Sequence, residues 1–299
     1  MPAINENAFA SARTVKEMAY AKINLYLDVV SRRDDGFHEI ESIMQSISLA
    51  DELTFTLTPK KERSVKLEIL GNDDLKNDES NLVLRAVRAY EGHQPINGHL
   101  EIVLKKQIPT EAGLGGGSAD AAATLRALNR LADEPLDDIE LYNMACELGS
   151  DVPFCLRGGT HICRGRGELL SPMCELKNLD LVIVNSGERV STPGAYGELD
   201  RLYDSFKSER ADDSRKVAFE SLKAGKCDKL YNIFEEAVLP TCPLAKSAKD
   251  RLLFFGASAA LMSGSGATVF GLFENEQVAK NASDELKALG FSAFVARSI

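Results

Sequence analysis

The sequence contains no run approaching the ~20 apolar residues that span a bilayer. Its opening residues (MPAINENAFASARTVKEMAY) hold no basic segment followed by an apolar one. A membrane span and a secretory leader are therefore not expected; the reading is a cytoplasmic protein with residues 1–17 as a frayed extension. Positive charge is also scarce: the formal net charge is −10 at pH 7. A grip on nucleic-acid backbone needs clustered Lys and Arg, so no nucleic-acid partner is expected. Any anionic substrate has to be caught by a local positive field. The densest basic cluster, Lys60-Lys61-Glu62-Arg63, lies between strand-like stretches and reads as a solvated hairpin turn. No C-x-x-C pair occurs among the cysteines at 146, 155, 163, 174, 227 and 242, which read as reduced, small core residues.

What is present suits a globular chain: 299 residues, 44% hydrophobic and 27% charged, long for one core and short for three. Two packed domains of mixed α and β structure are expected, with a boundary near residue 172. Residues 20–30 (YAKINLYLDVV) alternate. Ile23, Leu25, Leu27 and Val29 take one face; Lys22, Asn24, Tyr26 and Asp28 take the other, pointing away from the core. A hairpin pairing residues 52–58 with 65–70 extends this into an antiparallel sheet. Ser80 and Asn81 can cap a helix carrying Leu82, Val83, Ala86, Val87 and Tyr90 at helical spacing, and residues 99–105 alternate as a strand. Helices are expected over 118–132 and 139–148, and a polar one over 210–224. The final third alternates helix (243–255, 276–289) and strand (260–262, 267–273, 291–296), as a small α/β sandwich would.

The strongest chemical signal lies between strand 99–105 and the helix from 118: Pro109, Thr110, Glu111, Ala112, Gly113, Leu114, Gly115, Gly116, Gly117, Ser118, Ala119, Asp120. Residues without Cβ atoms let the backbone adopt positive φ and approach an anion closely, while the first helical N–H groups point at the same place. This predicts a phosphate cradle made of backbone and hence ATP. The alternative is a turn that lets helix and strand pack tightly. Gly-Lys-Ser/Thr is missing, so the loop is not a Walker A loop, and no acidic residue closes a second parallel strand as the dinucleotide fingerprint requires. Asp151, in Gly149-Ser150-Asp151-Val152-Pro153, is either the carboxylate that takes a proton from an attacking alcohol or a capping aspartate. Lys22 is either the complementary cation or a solvated strand-face lysine. The small-residue loop 262–268 (MSGSGAT) can seal the phosphate region or serve as an ordinary turn.

These segments, in this order, resemble the galactokinase, homoserine kinase, mevalonate kinase and phosphomevalonate kinase (GHMP) superfamily from about residue 19 onward. AYAKINLYLDV, RRDDGFHEIES, PTEAGLGGGSADAAA and LGSDVPF resemble one branch, whose acceptor is a cytidine-diphosphate-linked methylerythritol. The resemblance implies an α+β, two-domain fold. An N-terminal domain of the ribosomal-protein-S5 domain 2 kind (1–172) would bind ATP and catalyse; a ferredoxin-like C-terminal domain (173–299) would face the substrate. It implies ATP as phosphoryl donor, Mg²⁺ as charge partner, and phosphorylation of a 2-hydroxyl. Lys22 and Asp151 fall on the catalytic pair, and 109–119 on the ATP loop. Asn81 and Lys106 fall near the adenine. Asn24, Phe37, His38, Thr192 and Tyr196 fall on the substrate side, where Phe37 and Tyr196 would sandwich the base while His38 reads its edge. Two departures stand out: Phe37 occupies a position that is tyrosine in many relatives, and Asn185-Ser186-Gly187 replaces an expected proline-containing turn. No metal-ligand set is assigned, and a monomer or weak homodimer is expected. Rival readings are homoserine kinase, mevalonate-diphosphate decarboxylase, or a nucleotide-binding module without catalysis.

Overall fold

The computed structural model describes residues 11–203 and 212–299. Residues 1–10 of the expected extension and 210–211 of the expected polar helix lie outside that range. The rest of the extension is not frayed: strand β1 (Arg13–Arg32) begins within it and pairs Arg13 to Tyr20 with Leu57 to Ala50 of β2 (His38–Thr58). Strand β3 (Ser64–Leu70), helix α1 (Leu82–Glu91) and strand β4 (His99–Lys105) follow. The hairpin expected between β2 and β3 does not form. β4 inserts between them, antiparallel to β2 and parallel to β3. Leu100, Ile102 and Leu104 are all buried, which demands a central position for β4, and a parallel β3–β4 pair needs a crossover that α1 supplies. Val83, Ala86, Val87 and Tyr90 are the buried face of α1, as their spacing predicts.

Helices α2 (Gly116–Leu131), α3 (Asp138–Leu148) and α4 (Val152–Arg157) come next, then strands β5 (Thr160–Arg164) and β6 (Leu169–Pro172), which extend the first sheet from β2. Alanines 119, 121, 122, 123 and 127 of α2 are all buried; short side chains let the helix lie close on sheet and neighbours.

After residue 172 a second sheet forms, of order β11-β7-β10-β9. The elements are β7 (Asp180–Asn185), α5 (Thr192–Leu202), α6 (Asp212–Lys223), β8 (Tyr231–Asn232), α7 (Phe234–Val238), α8 (Pro243–Phe254), β9 (Ala259–Met262), β10 (Val269–Phe273), α9 (Glu276–Ala288) and β11 (Ser292–Arg297). All its pairs are antiparallel, and β7, α8, β9, β10, α9, β11 read as the split βαβ of a ferredoxin-like unit. β8 crosses to the first sheet and pairs in parallel with β1 at Tyr26 and Leu27.

Leu181, Ile183, Phe270 and Leu272 pack with Ile23, Leu25 and Ile43 in one apolar cluster, so the second sheet covers β1. The alternation of β1 therefore misleads at its centre. Lys22 and Asn24 are 4% and 1% exposed, because the face they share is roofed by the glycine-rich loop and by the loop 262–268. Irregularities in the β1–β2 register near Tyr20 and Asn24 turn Tyr26 into the same cluster as Ile23.

Candidate active site

The glycine loop owes its shape to anchors on both sides. Lys22 N donates to Leu114 O (2.9 Å), and Ser263 Oγ donates to Gly113 O (2.9 Å). Gly113 has φ 71°, and a Cβ there would sit 2.1 Å from the Ser263 carbonyl oxygen. Gly115, φ 69°, is the N-cap of α2, with no side chain capping the first turn, and a Cβ there would meet Lys22 Cγ at 3.0 Å. Close packing and an open amide cradle are thus both built from these glycines; the two readings of the loop are complementary. Uncapped helical N–H groups at a cavity wall fit a polyphosphate. Residues 109–118 line the cavity, whereas Ala119 lies one step inside α2, buried.

Beneath the loop, Lys106 is 8% exposed and donates to Asp120 Oδ2 (2.8 Å) and to Asp51 Oδ2. Asp51 Oδ1 accepts the N–H of Ile108 at 2.9 Å. Burial opposes the charge on Lys106, but Asp120 and Asp51 outweigh it and its pKa is raised. Burial, reinforced by Asp51 against the pull of Lys106, pushes Asp120 up to about 8, consistent with an Oδ1 that has no hydrogen-bond partner. Lys106 lines the cavity, yet its ammonium is committed to this cluster rather than directed at a base. Asn81 is not on the cavity wall: its Oδ1 accepts from Val83 N and its Nδ2 donates to Lys76 O, both at 2.9 Å, which caps α1.

Lys22 Nζ lies 3.5 Å from Asp151 Oδ2 at the edge of the cradle. The lysine side chain is 5% exposed and the aspartate 30%, so the carboxylate reaches the open cavity while the cation is held from behind. Asp151 precedes α4, whose start is set by Pro153. Asn24 holds the lysine: its Oδ1 accepts from Lys22 Nζ (2.9 Å) and from Gly264 N (3.0 Å), and its Nδ2 donates to Ser42 Oγ (2.8 Å). Asn24 lines the cavity but serves as a clamp between the two sheets' loops. Asn232 completes the clamp, donating to Met262 O (2.7 Å) and Gly264 O (2.8 Å).

The opposite wall is made of side chains. Thr192 and Tyr196 lie on α5, a helix that went unread although Ser191 and Pro193 mark its start; Ser191 Oγ accepts from Gly194 N (3.1 Å). The turn at Asn185 closes by its own side chain, which accepts from Gly187 N (3.0 Å), so no proline is needed. Tyr196 stacks on His38 (centroids 4.6 Å, 21°), and burial pushes its phenol up to about 12. His38 Nε2 meets Asp200 Oδ1 at 2.8 Å, and Arg32 Nε donates to the same oxygen at 2.7 Å. Burial raises and these hydrogen bonds lower the Asp200 carboxyl; the net effect is downward. Phe37 is 52% exposed, with the Arg166 guanidinium 4.8 Å from its centroid. Each ring of the expected sandwich thus already has a neighbour on one face. Asp200 was legible as four residues beyond Tyr196 on one helix face; Arg166, Asp51 and Asn232 had no local signal.

Cradle, ion pair and aromatic wall share one cavity of about 1370 Å³. A single ligand site is usually ~300–1,000 Å³, so there is room for two ligands end to end. No helix among the described residues is long and apolar enough to cross a membrane.

Residues 81–159 match the GHMP kinases N terminal domain and residues 214–291 the GHMP kinases C terminal family. A 4-diphosphocytidyl-2-C-methyl-D-erythritol kinase of Gloeobacter violaceus is 41% identical over 266 residues, 87% of this chain and 86% of the relative. One of Listeria monocytogenes is 38% identical over 93% of this chain and 94% of its own. A crystal structure of 4-(cytidine 5'-diphospho)-2C-methyl-D-erythritol kinase superposes with TM-score 0.79 at 34% identity, covering 95% of this chain and 99% of the other. A homoserine kinase structure from Cytophaga hutchinsonii shares the fold at TM-score 0.69 and 22% identity, covering 99% and 97%. The chain is a small-molecule kinase that belongs to the GHMP kinases and, within them, to the 4-diphosphocytidyl-2-C-methyl-D-erythritol kinase family.

Proposed function

We propose that this protein transfers the γ-phosphoryl group of ATP to the 2-hydroxyl of 4-diphosphocytidyl-2-C-methyl-D-erythritol, in non-mevalonate isoprenoid precursor synthesis. The observation that carries the proposal is the Lys22–Asp151 pair, 3.5 Å apart, set where the amide cradle meets the aromatic wall. Asp151 takes the hydroxyl proton as the acceptor oxygen bonds to phosphorus and the bond to the bridging oxygen of ADP breaks. Lys22, held by Asn24, offsets the charge on the transferring group, and the amides at 115–118 hold the phosphates in line. Positioning and electrostatics supply most of the acceleration in such transfers. When bound, Mg²⁺ would supply neutralisation of phosphate charge, with Ser118 as the side-chain oxygen on the cradle that would hold it. Phe37 and Tyr196 supply stacking surface for the cytosine and His38 an edge contact. We place the enzyme in the cytoplasm, without a nucleic-acid partner and as a monomer or weak homodimer; the net charge of −10 supports the second of these.

The test is ADP release by the purified protein offered the cytidyl-methylerythritol substrate, mevalonate, homoserine and galactose. Turnover of the first alone is expected. Turnover only of one of the other three overturns the acceptor assignment.

A further inference from the structure

Four cations line the cavity among the described residues: Lys22, Lys106, Arg166 and Arg189. The two lysines are balanced at the nucleotide end, Lys106 by Asp51 and Asp120 and Lys22 by Asp151 at 3.5 Å. Arg189 is 74% exposed and 3.8 Å from the still more open Asp74, a pairing that contributes little. Arg166 differs. It sits in the short turn between β5 and β6, whose backbone is pinned: Arg166 N donates to Glu168 Oε2 (2.6 Å) and Gly165 N to Glu39 Oε1 (2.9 Å). Its side chain is 34% exposed, and its Nε stands 3.9 Å from Glu168 Oε1, beyond hydrogen-bond reach. The guanidinium rests over Phe37 at 4.8 Å. Stacking uses only the π-face of a guanidinium, so its N–H donors remain available in the plane.

We propose that Arg166 is a specificity-determining residue that binds the diphosphate of the acceptor while its partner Phe37 stacks on the base. This rests on the proposed cytidine-diphosphate-bearing acceptor. A planar fork fits two phosphate oxygens at once in a fixed geometry, where an ammonium acts as a point charge. One stacked pair thereby reads both ends of the nucleotide moiety: the ring answers to the base, the cation to the charge. An acceptor without the diphosphate loses the second contact and keeps the first.

Calorimetric binding of cytidine, CMP and CDP to the full chain tests this, with ATP affinity and thermal unfolding as controls. Wild-type protein is expected to bind CDP more tightly than cytidine. Arg166→Met should weaken CDP about 10–100-fold, the equivalent of ~1.4–2.8 kcal/mol, with cytidine and ATP affinities held within about threefold. Arg166→Lys should recover part of the loss, since charge returns without the fork. Phe37→Leu should weaken cytidine and CDP by the same factor. An unchanged CDP-to-cytidine ratio in Arg166→Met overturns the proposal, as does a loss seen in Arg189→Met instead. A wild-type protein that binds neither cytidine nor CDP overturns the acceptor reading, and this proposal with it.

Discussion

Two lysines in this cleft face aspartates and are used in opposite ways. Lys106 is enclosed by Asp51 and Asp120, whose side chains are 0% and 4% exposed. Lys22 meets Asp151 at 3.5 Å with that carboxylate 30% exposed. The first cluster is closed: it ties the exit of β4, the end of β2's pairing and the start of α2 into one point, so the glycine loop leaves from a fixed place. The second is open on one side, and a carboxylate that takes a proton must reach the alcohol that gives it up. Similar residues thus make a strut in one place and, in the proposed mechanism, a reacting pair in the other; the difference is which side of the cluster is closed by protein.

The sharpest way to break that contrast is Asp151→Asn. It removes the proton acceptor and preserves shape, so turnover should fall about 10²–10⁴-fold, with ATP binding and the melting temperature near wild type. Steady-state ADP release and calorimetry check this; near-normal turnover would sink the role given to Asp151. Lys106→Met should do the reverse. Removing one partner of a buried cluster costs roughly 3–5 kcal/mol, which for a chain of this size lowers Tm by about 10 °C. Scanning calorimetry reads it, and an unchanged Tm would remove Lys106 as a strut.

Asn24→Ala probes the bridge between the two uses. It leaves Lys22 Nζ and Gly264 N without the oxygen they share, and should cost ~1–3 kcal/mol, shared between Tm and kcat because the same oxygen positions cation and loop. The last effect is read against pH. Asp120 is raised from 3.8 to about 8, so the folded protein binds more protons than the unfolded chain between those values. Its contribution to stability is full below about 4 and is lost as pH rises through about 8. Asp120→Asn does not titrate, so the Tm difference between it and wild type should shift in the variant's favour across that window and level above it. A difference independent of pH would mean that Asp120 does not take up a proton in that window.

The glycine loop was legible because its information is local. Positive-φ glycines, a strand ending in Ile108-Pro109 and an alanine-rich helix sit within one stretch of sequence, and their steric demands do not depend on distant residues. The central stretch of β1 was less legible: its alternation is genuine, yet both faces are covered, one by the second sheet and one by two loops. The position of β3 was misplaced because adjacency in sequence favours a hairpin, while burial of Leu100, Ile102 and Leu104 requires β4 to have neighbours on both sides. Asn81 shows the limit on the site itself. A side chain that the resemblance puts near the adenine has its oxygen and its amide engaged at the start of α1.

By itself the sequence determined the local elements to which the proposal gives chemistry: a glycine-rich helix start, one lysine, one aspartate and an aromatic-histidine pair. Each is specified by what its immediate neighbours allow the backbone to do. The tertiary structure decided which lysine faces an open carboxylate, which asparagine clamps and which arginine meets Phe37. Those outcomes depend on approach across 14 residues for Lys106 and Asp120 and 240 for Asn24 and Gly264, and on desolvation that only packing creates.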